Sequence, residues 1–120
     1  MARGRVVHVM IDCHDVGAVV PFWCELLGVE VAAEFGGSFA FLTAPSPDAV
    51  AIGFQRVPEG KVVKNRVHVD VEVDDLEDVT AWVTANGGSL VAAHEQGGAR
   101  WNVVTDPEGN ELCLVQTRRP

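Results

Sequence analysis

The side chains here that can move protons, hold a metal or attack an electrophile are four histidines, three cysteines and seventeen acidic residues. Two of the histidines share a context. His8 lies in Val7-His8-Val9 and His68 in Val67-His68-Val69, sixty residues apart, so one imidazole occupies the same local setting twice. Carboxylates follow at alternate positions: Asp12 after His8, Asp70 and Glu72 after His68, with Glu111 later in the chain. Asp12, Asp70, Glu72 and Glu111 are candidate bases, and nothing in the spacing selects one. Signatures of nucleophilic catalysis are thinner. There is no GxSxG, HExxH or glycine-rich phosphate loop, and Cys13 and Cys24 lack the basic neighbour that activates a thiol. His14 and His94 read as surface or cap residues, and Arg118-Arg119-Pro120 as a solvated tail.

The elements that must position these groups are written twice. Offset by sixty residues, the chain matches itself at eleven positions without a gap, among them His8/His68, Asp15/Asp75, Gly28/Gly88, Gly37/Gly97 and Pro47/Pro107. Each half opens with a period-2 strand, Val6–Cys13 and Arg66–Val73, whose valines take one face. That leaves His8, Met10 and Asp12, and Arg66, His68, Asp70 and Glu72, on the other. A helix follows in each, capped by Asp15 and by Asp74 or Asp75. Its apolar stripe is Val16, Val19, Val20, Trp23, Leu26 and Leu27 in the first half, and Leu76, Val79, Trp82 and Val83 in the second. Pro21 predicts a kink, or a turn from Asp15 with the regular helix starting at the proline.

Three short strands then complete each half: Val29–Glu34, Ser38–Thr43 and Ala49–Val57, then Ser89–His94, Ala99–Thr105 and Glu111–Thr117. The expected layout is one domain over residues 1–120. Module one covers about 5–57, a linker 58–65, and module two about 66–117. One βαβββ half cannot close a core alone; two curving together can.

Composition narrows the partners. The 120 residues carry a net charge of −8, which opposes approach to nucleic acid and to anionic membranes and favours cationic or neutral small ligands. No apolar run has the length of a membrane helix. Three cysteines without CxxC spacing point to a reducing cytoplasm rather than a disulfide framework.

The duplicated βαβββ pattern, with the strings Pro21-Phe22-Trp23-Cys24-Glu25-Leu26-Leu27-Gly28, Arg66-Val67-His68-Val69-Asp70 and Asp106-Pro107-Glu108-Gly109-Asn110-Glu111-Leu112-Cys113, resembles the vicinal oxygen chelate superfamily. That superfamily includes glyoxalase I, bleomycin-resistance proteins and extradiol dioxygenases. The resemblance covers about Arg5 to Thr117 and implies an α+β fold: two tandem βαβββ modules forming a curved mixed sheet or half-barrel around a cleft. It also implies a homodimer. The same fold hosts many chemistries.

In metal-using members, the resemblance implies four ligands from the opening and closing strands of each half. Here they fall on His8, Gly53, His68 and Cys113. Glycine offers no side-chain donor and the last position carries a thiol in place of a carboxylate. Two histidines and a thiolate can still hold a divalent metal (Zn, Ni, Fe or Mn) with an open position, and Gln55 on the same face is a substitute oxygen donor. The bland alternative has both histidines neutral and hydrogen-bonded, and Cys113 a small buried filler.

The expected ligand-facing residues are Met10, Phe41, Gln55, Arg66, Asp70, Glu72 and Trp101. Phe41 and Trp101 are counterparts under the repeat, as are Phe39 and Ala99, and aromatic walls suit a flat ligand. Arg66 and Arg100 can orient an anion, with a salt bridge to Asp70 or Glu72 as the plainer role for Arg66. The favoured function is binding of a small organic molecule without a full metal site, as in bleomycin-resistance proteins. The alternative is a metal-dependent lyase, isomerase or dioxygenase using His8, His68 and Cys113. A third, weaker reading is a metal-free enzyme using Asp70 and Glu72.

Overall fold

The computed structural model describes residues 2–116, so the expected strand end at Thr117 and the tail 118–120 lie outside the described residues. The chain divides into two compact units, Met1–Gly60 and Lys61–Pro120. Unit one holds β1 (His8–Cys13), α1 (Val16–Leu27), β2 (Val31–Phe35), β3 (Phe39–Leu42) and β4 (Ala51–Arg56). Unit two repeats the order with β5 (Asp70–Glu72), α2 (Leu76–Ala85), β6 (Ser89–Gln96), β7 (Ala99–Thr105) and β8 (Glu111–Gln116). Each unit is a four-stranded mixed sheet, ordered β1-β4-β3-β2 and β5-β8-β7-β6. The opening and closing strands pair in parallel in both. This is the α+β fold with paired βαβββ modules that the repeat predicts.

In unit one the helix buries Val16, Val19, Phe22 and Trp23, and the sheet meets it with Ala40, Leu42 and Phe54. The Trp23 and Phe54 rings lie 6.1 Å apart. Asp15 caps α1 by accepting from the Gly17 N–H at 3.0 Å, and Gly28 ends it in the left-handed conformation at φ 67°. The helix starts at Val16 and runs through Pro21, so the expected start at the proline is corrected. The aspartate cap and the four buried side chains outweigh the one backbone bond that proline removes.

In unit two Leu76, Thr80 and Val83 pack on the sheet, which buries Asn102, Val104, Leu112 and Leu114. Trp82 is only half-buried, so the working stripe includes Thr80 where Trp82 was expected. The polar pair is satisfied: Asn102 Nδ2 donates to Thr80 Oγ1 at 2.9 Å, and Thr80 donates to the Leu76 carbonyl at 2.6 Å. Asp75, not Asp74, is the cap, accepting from the Asp78 N–H.

The strand expected over Arg66–Val73 shortens to Asp70–Glu72, and Val67 is 74% exposed instead of facing the helix. A single side chain explains the shortening. In unit one the Ala51 N–H bonds the Val7 carbonyl directly at 3.2 Å. The matching groups of unit two, the Glu111 N–H and the Val67 carbonyl, are bridged by Asn65 instead. Its Oδ1 accepts from Glu111 and its Nδ2 donates to Val67, each at 3.3 Å. The inserted amide holds the chain before β5 away from the ladder while giving each of these two backbone groups a partner.

The β6–β7 hairpin is also longer than expected. It closes on the two-residue turn Gly97-Gly98, both at positive φ, whereas β2 and β3 are joined by Gly36, Gly37 and Ser38. No helix among the described residues is long and apolar enough to cross a membrane.

Candidate functional site

Both sheets turn one face to their helix, leaving the other for chemistry. In unit one the register pairs His8 with Ala51, Met10 with Gly53 and Asp12 with Gln55, and β3 adds Phe41 beside Gly53 and Phe39 beside Gln55. Four rings collect on this face. Phe41 lies edge-on to His8 at 5.2 Å and to Phe35 at 6.1 Å, and is stacked with Phe39 at 6.3 Å and 7°. Gly53 is buried beneath them. A Cβ there would lie 2.6 Å from Met10 Sδ and 3.2 Å from Phe41 Cδ1, so thioether and ring fill the space a longer side chain would need. Gln55 is exposed at the edge of this patch.

Unit two uses the same positions differently. Asp70 pairs with Cys113 and Glu72 with Val115 across β5 and β8, and β7 adds Val103 beside Cys113 and Trp101 beside Val115. His68 precedes Asp70 by two residues, and its Nε2 lies 3.4 Å from Asp70 Oδ1. The donor atoms of His68, Asp70 and Cys113 all lie within 4.8 Å of one another. Burial, reinforced by the Asp70 carboxylate, pushes the Cys113 thiol above its usual range. A protonated thiol is a weak nucleophile, so without a further cation Cys113 is quiet.

Nearby, Lys64 donates to Glu111 Oε1 at 2.7 Å and holds that carboxyl below its ordinary value. Glu111 is thus a paired acid and a poor candidate base.

Several expected roles move. The two histidines of the repeat belong to separate units, and the partners that His68 meets are Asp70 and Cys113. Asp70 lies beside His68, and Arg66 is exposed and lies ahead of β5. Arg100 bonds Glu77 of α2, on the helix side of the sheet, and cannot orient a ligand on the open face. Phe41 and Trp101 are not structural counterparts. Measured from Gly53 and Cys113, the register equates Phe41 with Val103 and Phe39 with Trp101, because the second hairpin has extra residues beyond the match.

His94 is exposed, as expected of a surface residue, and its ring stacks on Trp101 at 5.3 Å and 23°. Its signal in the sequence was the Gly97-Gly98 turn, which folds His94 back against Trp101.

The four-donor set implied by the resemblance does not fit these residues. Position 53 has no donor, and Met10 and Phe41 cover it.

Residues 8–115 match the family model described as Glyoxalase-like domain. No curated protein matches. Among solved structures, a glyoxalase/bleomycin resistance protein/dioxygenase family enzyme from Burkholderia phytofirmans PsJN superposes with a TM-score of 0.77 at 18% identity, covering 93% of this chain and 98% of that one. The bleomycin-binding protein of Streptomyces verticillus, complexed with copper(II)-bleomycin, gives 0.61 at 22% identity with both chains fully covered. Lactoylglutathione lyase from Agrobacterium tumefaciens gives 0.70 at 15%, covering 96% and 95%. With the duplicated βαβββ architecture and a family match across nearly its whole length, the chain belongs to the glyoxalase-like domain family of the vicinal oxygen chelate superfamily.

Proposed function

We propose that this protein binds a small, flat organic molecule and does so without a metal held by the four-ligand set of its superfamily. The carrying observation is the closure of position 53 by Met10 and Phe41 within a patch of four rings. A patch of that kind offers stacking area to a planar ligand, with Gln55 at its edge to fix orientation by hydrogen bonding. Unit two offers a second surface of related character, where Trp101 stacks on His94 and Asp70 and Glu72 supply negative charge. The overall charge of −8 favours cationic or neutral ligands. Binding of copper(II)-bleomycin by the Streptomyces verticillus protein of the same fold supports ligand capture as the mode of action. The reading includes a homodimer working in the cytoplasm.

The test is a binding screen on chelator-treated, tag-free protein, using copper(II)-bleomycin and a panel of cationic and neutral planar aromatics. Saturable binding of at least one compound, weakened by Phe41→Ala and unaccompanied by turnover, is expected. A protein that binds none of them, or that needs a metal dependent on His8 to bind, contradicts the proposal.

The second reading is a metal-dependent lyase, isomerase or dioxygenase using His8, His68 and Cys113. Only the closeness of His68 to Cys113 favours it. A carboxylate on the metal, the usual proton acceptor beside a carbonyl, is lacking at both closing-strand positions.

A further inference from the structure

The three positions that define the open face next to the parallel strand pair can be compared directly between the units. In unit one they carry His8, Met10 and Gly53; in unit two they carry His68, Asp70 and Cys113. The first copy has one imidazole beside a thioether and a glycine, with position 53 covered by Met10 and Phe41. The other presents an imidazole, a carboxylate and a thiol whose donor atoms lie within 4.8 Å of one another. We propose that unit two by itself binds a thiophilic divalent cation of the zinc type through His68 Nε2, an Asp70 carboxylate oxygen and Cys113 Sγ, without His8.

Sheet geometry brings the donors together. Asp70 and Cys113 are direct neighbours across a parallel pair, and His68 lies two residues before Asp70 along the chain. In a tetrahedral zinc site the donors sit about 3.5 Å apart, given metal distances of roughly 2.0–2.3 Å. The Nε2 to Oδ1 separation is already 3.4 Å. Small rotations of the two exposed side chains, 49% accessible at His68 and 64% at Asp70, complete the closure onto a fixed, buried Cys113.

The donor types select the cation. A thiolate with an imidazole favours zinc or cobalt(II) over magnesium or calcium, which take oxygen shells. Three protein donors leave a fourth position for water or a ligand atom. The Lys64–Glu111 pair nearby is already neutralised and brings no excess positive charge against the ion. Balance requires that Cys113 lose its proton to solvent as the cation binds, while the His68 imidazole and the Asp70 carboxylate contribute lone pairs.

Asp70 distinguishes this site from the four-ligand arrangement of the superfamily, which draws on both halves and has no role for that residue. The probe is cobalt(II) alone, titrated anaerobically into reduced, tag-free, full-length protein. One equivalent is expected to produce the thiolate-to-cobalt charge-transfer band and intense visible bands of a tetrahedral site. Cys113→Ser should abolish the charge-transfer band, and Asp70→Asn and His68→Gln should each weaken binding by at least about tenfold. His8→Ala and Cys24→Ser should leave the titration unchanged. Circular dichroism establishes that each variant is folded; the exposed Asp70 and His68 variants keep the test decisive if Cys113→Ser misfolds.

A folded wild-type protein with no charge-transfer band overturns the proposal. So does a band that survives Cys113→Ser, or one that is lost with His8→Ala while Asp70→Asn retains it. Because His8→Ala separates this site from a metal shared between halves, ligand capture on unit one can stand or fall separately.

Discussion

Gly53 and Asn65 are single residues that decide what their halves can do. At position 53 a Cβ would fall 2.6 Å from Met10 Sδ, the mobile end of a flexible side chain, so intrusion displaces Met10 before it disturbs backbone. Gly53→Ala should therefore cost only about 1 kcal/mol, at the low end for overpacking. Shortening Met10 to Ala in the same chain should recover part of that cost, a coupling that a double-mutant cycle by urea denaturation would measure. Equal losses with no coupling would mean that Met10 does not occupy the space over Gly53. The Asn65 side chain links the Glu111 N–H to the Val67 carbonyl. Asn65→Ala should destabilise unit two by about 1 kcal/mol, since two partly exposed backbone groups then rely on water.

At the scale of elements, the strand and helix order was legible in the sequence because apolar periodicity and caps repeat at a fixed offset. Which face carried the polar groups was legible too: alternating valines left His8, Met10, His68 and Asp70 on the open side. Register was not. A gapless offset of sixty equated Phe41 with Trp101, whereas sheet pairing depends on turn length, and the Gly97-Gly98 turn carries the second hairpin further. The short β5 was hidden for a similar reason, since a bridging amide from Asn65 interrupts a strand whose own residues alternate well. The His68–Asp70–Cys113 cluster needed that cross-strand pairing, which sequence spacing alone does not supply.

Two element-level substitutions follow. Asp75→Ala should remove about 1 kcal/mol by uncapping α2, read as a lowered denaturation midpoint. Gly98 sits at φ 83°, so Gly98→Ala should cost roughly 1–2 kcal/mol, while Gly97→Asn should be nearly neutral because asparagine tolerates the left-handed region. If Gly98→Ala left stability unchanged, the tight turn, and with it the stacking of His94 on Trp101, would be misassigned.

For the whole molecule, the duplication has let two copies of one scaffold diverge in chemistry. Unit one invested the shared positions in rings and a thioether; unit two kept an imidazole, a carboxylate and a thiol. The net charge of −8 acts on any ligand of either copy. Association of a cationic aromatic should therefore slow as ionic strength rises, since screening shortens to about 10 Å at 0.1 M salt, while a neutral analogue should be little affected. Stopped-flow fluorescence at several salt concentrations reads this difference.

Unit one is proposed to capture a flat ligand on its aromatic face with no metal required. The most direct measurement is calorimetric titration of chelator-treated protein with the tightest-binding aromatic, comparing wild type with Phe41→Ala. Full binding by the wild type without added metal is expected, with about tenfold weaker binding by the variant, corresponding to roughly 1.4 kcal/mol of lost stacking and burial. Binding that appears only when zinc is restored, or that Phe41→Ala leaves untouched, would contradict it.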